Sequence, residues 1–178
     1  MSEPRSPRLA WALTGSGHYL RECLELIRER PDVDLFLSRA AAEVLAMYGH
    51  DPRRLRERIT CYRDTTASAP PVAFFYHGRY ERLVIAPATS NTVAKMVWGI
   101  SDTLVTNIYA QAGKCRIPSI VFACDTEPVM ETEAPGGQVM VYPRRIDLEN
   151  VDRLGTFEHT TVVRRFDELV AALRRLDE

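Results

Sequence analysis

Two stretches decide the fold class: Leu83-Val84-Ile85-Ala86-Pro87-Ala88-Thr89-Ser90-Asn91-Thr92-Val93-Ala94-Lys95-Met96-Val97-Trp98-Gly99-Ile100-Ser101-Asp102 and Ile117-Pro118-Ser119-Ile120-Val121-Phe122-Ala123-Cys124-Asp125. Residues 83–86 form a short apolar run, the pattern of a strand buried on both faces. Small and hydroxyl residues follow at once, and Ser90 or Asn91 is the expected N-cap of a helix. That helix carries apolar residues at Val93, Met96, Val97, Ile100 and Leu104, near the three-four spacing of one buried face. Residues 117–122 then return as a second β-branched strand. Strand, polar turn, helix and strand make a βαβ unit, whose crossover gives a parallel pair. The predicted class is therefore α/β: a Rossmann-like (flavodoxin-like), three-layer α/β/α domain with a mainly parallel sheet.

In open parallel sheets, ligands bind outside the carboxyl ends of the strands, where these polar turns lie. A turn of Ala88, Thr89, Ser90, Asn91 and Thr92 offers hydroxyls and backbone N–H groups at a helix N-terminus. That chemistry suits a phosphate or an electron-rich ring edge. An ordinary capped helix fits the spacing equally well, and both readings stand on residue types alone.

Working outward, residues 9–14 read as a first strand, followed by Gly15-Ser16-Gly17-His18 and a helix to about Arg30 with Leu20, Cys23, Leu24 and Ile27 inward. A glycine-hydroxyl-glycine turn lets the backbone approach an anion closely, and also occurs as a plain turn. Residues 33–37 form the second strand, Ser38 caps the next helix, and Gly49 closes it. Arg39 reads as an exposed arginine within reach of a phosphate. Residues 50–63 read as a charged segment with a short amphipathic helix, and residues 64–71 as a loop. The aromatic run Val72-Ala73-Phe74-Phe75-Tyr76-His77 is expected to be a strand or an aromatic rim. Residues 103–116 suggest more helix ending at Gly113. The polar stretch 126–137 is expected to be a lid or interface arm, and residues 139–145 a short strand with basic residues at its end. A helix starts near Ile146. The chain closes with a strand at residues 161–163 and a helix turning Phe166, Leu169, Val170, Leu173 and Leu176 inward.

The 178 residues suit one domain of ordinary size. With 23 basic and 24 acidic residues the net charge is −1, so no overall field attracts nucleic acid or an anionic membrane. No apolar run approaches the ~20 residues that span a bilayer, and residues 1–7 lack the apolar core of a signal peptide. Those seven residues read as a flexible Pro/Ser-rich tail. The four cysteines, Cys23, Cys61, Cys115 and Cys124, show no Cys-x-x-Cys spacing, so no metal site is expected. A cytoplasmic protein with reduced thiols is the expected class.

The segment Pro87-Ala88-Thr89-Ser90-Asn91-Thr92 resembles the Pro-Ala-Ser-Ala-Asn-Thr motif of the homo-oligomeric flavin-containing cysteine decarboxylase superfamily. Ala94, Lys95, Gly99, Ile100, Asp102 and Leu104 match the helix that follows it there. Residues 146–151, Ile-Asp-Leu-Glu-Asn-Val, resemble a pattern near the end of archaeoflavoproteins and dihydromethanopterin reductases (acceptor). The resemblance implies that residues 8–178 form an FMN-binding flavoprotein domain. It places the FMN phosphate over Gly15, Ser16, Gly17 and Ser38, and the ring beside Ala88, Thr89, Ser90, Asn91, Thr92, Cys124 and Asp125. Asn91, Asp125 and His18 are the implied catalytic residues, the last two as proton donors, although capping or solvation would also explain His18. Cys124 reads as a small buried hydrophobe rather than a nucleophile.

The implied activity is hydride transfer from reduced FMN to a dihydropterin such as dihydromethanopterin, with NAD(P)H or a ferredoxin-like carrier recharging the flavin. Assembly into a trimer or larger shell is implied as well. The decarboxylase branch fits less well, because Ala123-Cys124-Asp125-Thr126 replaces its Pro-Ala-Met-Asn loop and no cysteine follows Cys124. A ferredoxin-linked electron-transfer protein and a flavin prenyltransferase are the remaining alternatives.

Overall fold

The computed structural model describes residues 8–51, 55, 57 and 59–177. The predicted tail, residues 1–7, lies outside them. In chain order the elements are β1 (Arg8–Leu13), α1 (Leu20–Arg28), β2 (Val33–Leu37), α2 (Arg39–Met47) and β3 (Thr60–Arg63). A 3-10 turn (Pro70–Val72) leads into a single helical turn, α3 (Ala73–Tyr76), then β4 (Tyr80–Ala88), α4 (Ser90–Val97), α5 (Leu104–Lys114) and β5 (Ser119–Ala123). The hairpin β6 (Met130–Ala134) and β7 (Gly137–Val141) precedes α6 (Arg145–Leu154), β8 (Thr160–Val163) and α7 (Phe166–Arg174).

Six strands form one sheet in the order β3-β2-β1-β4-β5-β8, and every neighbouring pair is parallel. Strand side chains alternate between faces, and that alternation divides the core in two. Trp11, Leu13, Leu35, Leu37, Val84 and Phe122 pack with α1, α2 and α7 on one face. Ala10, Ala12, Phe36, Ile85 and Val121 pack with α4, α5 and α6 on the other. The α/β/α layering is as the sequence predicts. The chain winds from β1 outward to β3 and returns to β4 on β1's other side. The strand order therefore reverses between β1 and β4, which puts Thr14 and residues 87–89 at the switch point.

Several local expectations are corrected. The helix read across residues 93–104 is two helices. Gly99 adopts φ 69°, and the amides of Gly99 and Ile100 turn back onto the carbonyls of Met96 and Lys95. This is the glycine-closed C-terminus that ends helices, and it leaves Ile100 exposed. The N-cap of α4 is Thr89, one residue before the expected pair: its side chain accepts from the Thr92 amide. Residues 72–76 are helical rather than a strand. Pro70 and Pro71 start that turn, as proline's fixed φ and missing N–H favour.

Most of the polar stretch 126–137 builds the antiparallel hairpin β6–β7. Residues 60–63 form β3 at the end of the segment read as charged with a short amphipathic helix; residues 52–54, 56 and 58 of that segment lie outside the described residues. Among the described residues no helix is long and apolar enough to cross a membrane.

Candidate functional site

The site is built at the carboxyl ends of β1, β2, β4 and β5, and Thr14 joins its two main loops. Its Oγ1 donates to the Pro87 carbonyl (2.8 Å) and accepts from the Thr89 amide (2.9 Å). One buried hydroxyl thereby holds the end of β4 against the start of the Gly15-Ser16-Gly17 loop. Trp11 adds a second tie, its indole N–H donating to the Ala86 carbonyl at 2.9 Å.

The glycine loop is tightly enclosed. A Cβ on Gly15 would stand 2.6 Å from Cβ of Ala40 on α2, and one on Gly17 would stand 2.0 Å from the Tyr48 hydroxyl. The loop's own polar groups are paired locally: the Ser16 amide bonds the Thr14 carbonyl (2.9 Å), and the His18 amide bonds Ser16 Oγ (3.1 Å). Ser16 Oγ also accepts from Cys124 Sγ at 3.2 Å. That thiol is buried and its pKa is pushed up to about 12, chiefly by desolvation, which disfavours the thiolate form.

Two cavities adjoin at Gly15 and Thr89. The smaller, about 220 Å³, is lined by Gly15, Ser16, Gly17, His18, Thr89, Cys124 and Asp125 from the loops and by Thr132 and Glu133 from β6. The larger, about 540 Å³, is lined by Gly15, Ser38, Arg39, Asp64, Thr89, Asn91, Thr92, Lys95 and Asp102. Of the site residues named from sequence, Ala88 and Ser90 line neither. Ala88 is buried at the end of β4, where its carbonyl accepts from the Cys124 amide (3.0 Å), and the Ser90 hydroxyl donates to Asp125 Oδ2. Ser38 caps α2 by accepting from the Ala41 amide (3.0 Å) while lining the larger cavity. Arg39 is exposed at its rim.

His18 is not a solvated histidine: it is 9 % exposed. Its ring lies edge-on to Tyr19 and is stacked near Phe122, with centroids 4.6 and 6.0 Å away. Nδ1 meets Thr132 Oγ1 at 3.1 Å. Burial lowers its pKa, opposed by the carboxylates of Asp125 and Glu22.

Sequence reasoning missed Thr14, Thr132, Glu133 and Tyr48. The hairpin crosses over the glycine loop, where the Tyr48 hydroxyl donates to the Glu133 carbonyl (3.0 Å) and Arg21 pairs with the Glu133 carboxylate (3.6 Å). Thr14 carried a usable signal, as the hydroxyl residue directly before the glycine turn. Residues of β6 carried none, since their place over the loop is set by long-range packing. Lys95 and Asp102 were matched to the helix pattern but given no part in the site; they form a bidentate pair at 2.8 and 2.7 Å on the wall of the larger cavity.

Dihydromethanopterin reductase (acceptor) of Methanosarcina mazei is 39 % identical over 141 residues, 72 % of this chain. The matched part is 59 % of that relative, so this chain spans well under two thirds of its length. The crystal structure of Burkholderia xenovorans DmrB in complex with FMN, described as a cubic protein cage for redox transfer, is 56 % identical. It superposes with a TM-score of 0.90 and covers 97 % of both chains. The FMN-dependent cysteine decarboxylase TvaF, at 22 % identity and TM-score 0.67, shares the fold over 97 % of this chain and 99 % of its own. The family model described as Flavoprotein matches residues 1–177. With that match along almost the whole chain, and the glycine loop and threonine-capped turn meeting at the sheet's switch point, this protein belongs to the Flavoprotein family.

Proposed function

We infer that this chain is an FMN-dependent reductase acting on a dihydropterin of the dihydromethanopterin type. The observation that carries the reading is its 56 % identity, over 97 % of both chains, to a protein crystallised with FMN. The named M. mazei reductase supplies the substrate class. The residues present fit a flavin mononucleotide. Serine and threonine hydroxyls and a closely packed glycine loop supply a phosphate rim, and the two cavities meet at Gly15 and Thr89 beside the switch point.

When bound, FMN supplies the hydride that the protein's own side chains cannot. Gly15, Ser16, Gly17 and Ser38 would hold the phosphate. Thr89, Asn91 and Thr92 would hold the ring, while Ala88 and Ser90 support that turn: the Ser90 hydroxyl donates to the Asp125 carboxylate, and the Ala88 carbonyl accepts from the Cys124 amide. His18 and Asp125 face the smaller cavity and carry the proton that must accompany the hydride. Asn91 orients the reacting groups as a hydrogen-bond donor and acceptor. NAD(P)H or a ferredoxin-like carrier would be the source of the electrons. The protein works as a homo-oligomer, a trimer or larger shell, by likeness to the cage-forming relative. We place it in the cytoplasm, in keeping with four unbridged cysteines.

The test is a visible spectrum of the purified protein, followed anaerobically by NADPH and then dihydropterin. A flavin band that bleaches with NADPH and recovers with dihydropterin is the expected result. A flavin reduced by ferredoxin but not by NADPH, with a stable semiquinone and no response to pterin, would instead support single-electron transfer. A colourless protein that cannot be reconstituted with FMN would overturn the reading.

A further inference from the structure

The turn that carries His18 into α1 holds its next residue in a conformation that side chain disfavours. Tyr19, at the N-cap of α1, adopts φ 52° and ψ 25°, the left-handed region that a bulky residue rarely enters. It gives the helix no side-chain cap, so capping does not account for the strain. Strain of this kind persists only where the surrounding structure holds it in place, and here the holding is aromatic. The Tyr19 ring stacks on Phe166 of α7, with centroids 5.1 Å and planes 6° apart, and lies 5.7 Å from the Phe122 ring of β5. Tyr19 is still 38 % exposed, so burying the whole ring is not what the strain achieves.

What the left-handed turn does achieve is contact with the ring beside it. Side chains of consecutive residues diverge on an extended chain, yet the His18 and Tyr19 rings meet edge-to-face, 4.6 Å apart at 80°. Phe122 stands 6.0 Å from the imidazole with planes 28° apart, and Thr132 Oγ1 meets Nδ1 at 3.1 Å. Three separate elements therefore fix the ring. The other nitrogen, Nε2, is not sealed from solvent and makes no hydrogen bond among the described residues. The smaller cavity, which His18 lines, is the space left for it. Burial favours the neutral imidazole, in which one nitrogen donates and the other accepts. Which nitrogen faces the cavity then decides what the ring can offer there.

We propose that Tyr19 is a positioning residue for His18: its left-handed backbone and its stack on Phe166 hold the imidazole with Nδ1 on Thr132 and Nε2 turned into the smaller cavity. The inference rests on the reductase reading and deepens it, by naming Nε2 as the atom that meets the reacting nitrogen of the dihydropterin. An imidazole free to turn about its Cβ–Cγ bond exchanges its two nitrogens and loses that hydrogen bond for part of the time. Tyr19 removes the freedom, and a misplacement of about 1 Å at a reacting group costs up to ~100-fold in rate. The strain lowers stability, and a fixed ring is what function gains from it. Phe166 also gives α7 a part in the site, although no residue of that helix lines either cavity.

The experiment compares Tyr19→Phe, Tyr19→Ala, Tyr19→Gly and Phe166→Ala in the full-length, FMN-loaded protein. Phenylalanine keeps the ring and is expected to keep the wild-type kcat. Alanine and glycine both remove it, and kcat for dihydropterin reduction is expected to fall ~10- to 100-fold in each, with KM and FMN affinity close to wild type. Glycine suits the left-handed backbone and alanine does not, so Tyr19→Gly is expected to melt at a higher temperature than Tyr19→Ala while reacting as slowly. A purely structural role predicts instead that rate follows the thermal midpoint, and that result overturns the inference. Phe166→Ala, expected to lose rate in the same direction, still reads the stack if a Tyr19 variant fails to fold. Nitrogen NMR of the imidazoles reads the ring without turnover: there are four histidines, and His18→Gln identifies the signals that belong to His18. Those signals are expected to move on loss of the Tyr19 ring, and unchanged signals with a wild-type rate in Tyr19→Gly overturn the inference. Moved signals in a protein that reduces no dihydropterin, wild type included, overturn the reductase reading and leave the hold of Tyr19 on His18 intact.

Discussion

The two ends of the six-stranded sheet are built from the same strands and solve opposite problems. At the amino ends of β1, β2 and β4 the fully buried Asp34 accepts from Arg8 Nε (2.7 Å), from Arg79 Nε and Nη2 (3.1 and 2.8 Å) and from the Tyr80 hydroxyl (2.8 Å). The Arg79 guanidinium also lies 4.8 Å above the Phe74 ring, a favourable cation–π placement. Each carboxylate oxygen has a partner, and burial with the Asp34 hydrogen bond drives the Tyr80 pKa far upward. At the carboxyl ends, by contrast, short loops of small and hydroxyl residues surround two cavities. There one buried carboxylate oxygen, on Glu22, has no partner. At the closed end the Asp34 carboxylate is fully partnered, although Arg30 Nε, just ahead of β2, is buried without a hydrogen bond, whereas the open end sets hydroxyls and short loops around two cavities.

The sharpest way to break that comparison is to remove the closure. Taking away one member of a buried ionic network leaves the others unpaired and costs about 3–5 kcal/mol. Asp34→Ala is expected to lose that much in denaturant unfolding, since it strands the buried Tyr80 hydroxyl and two partly buried guanidinium groups. Whatever protein remains folded is expected to bind FMN with wild-type affinity, because the network lies at the other end of the strands. An affinity that falls in step with stability would show that the two ends are coupled, and the division drawn here would fail.

A smaller change at the open end sharpens the contrast. Gly15→Ala brings a methyl to 2.6 Å from Ala40 Cβ, a group carried rigidly on its backbone. Overpacking of that kind costs about 1–3 kcal/mol. The loop can relieve it only by moving away from α2, into the space where the phosphate is proposed to lie. A roughly 10- to 100-fold loss of FMN affinity is therefore expected by fluorescence titration, with little change in the unfolding midpoint. Gly17→Ala meets only the far end of Tyr48, which can swing aside and give up its bond to the Glu133 carbonyl, at about 1 kcal/mol. Equal losses from the two substitutions would mean that α2 does not set the position of the loop.

The same contrast explains what could be read in advance. The layering and parallel order were legible because apolar runs and the hydroxyl turns between strand and helix are local signals, and residues 87–92 carried the site's central turn in six consecutive positions. The break at Gly99 was also written locally, since a glycine readily takes the positive φ that closes a helix, but a single apolar spacing across residues 93–104 masked it. The Asp34 network was invisible: an aspartate within Val33-Asp34-Leu35-Phe36-Leu37 reads as a flaw in a strand until Arg8, Arg79 and Tyr80 are brought beside it from 26, 45 and 46 residues away. Thr132 and Glu133 were hidden for the same reason, because a polar stretch gives no sign that a hairpin will fold over a loop more than a hundred residues earlier.

The smallest effect expected concerns acid, and it separates the two ends by pH alone. The folded protein holds the His18 pKa below its usual 6.5, first through burial, against the opposing carboxylates of Asp125 and Glu22. Folded protein then binds fewer protons at this site than unfolded protein does between the folded and unfolded midpoints, so stability rises with pH across that window. The contribution is complete above 6.5 and is lost as pH falls below it. His50 shifts the same way, through burial and then through Arg28 and Arg21, so the acid sensitivity of wild type reflects both histidines. The measurement is therefore a difference: thermal midpoints at pH 7.5 and 5.5 for wild type and His18→Gln. Wild type is expected to lose more on acidification, since glutamine keeps a polar side chain near Thr132 without a proton to gain, while His50 contributes equally to both proteins. Equal losses would mean that His18 gains its proton as readily in the folded chain as in the unfolded one. The open end would then hold no titratable group under strain, and its difference from the saturated Asp34 end would be one of shape alone.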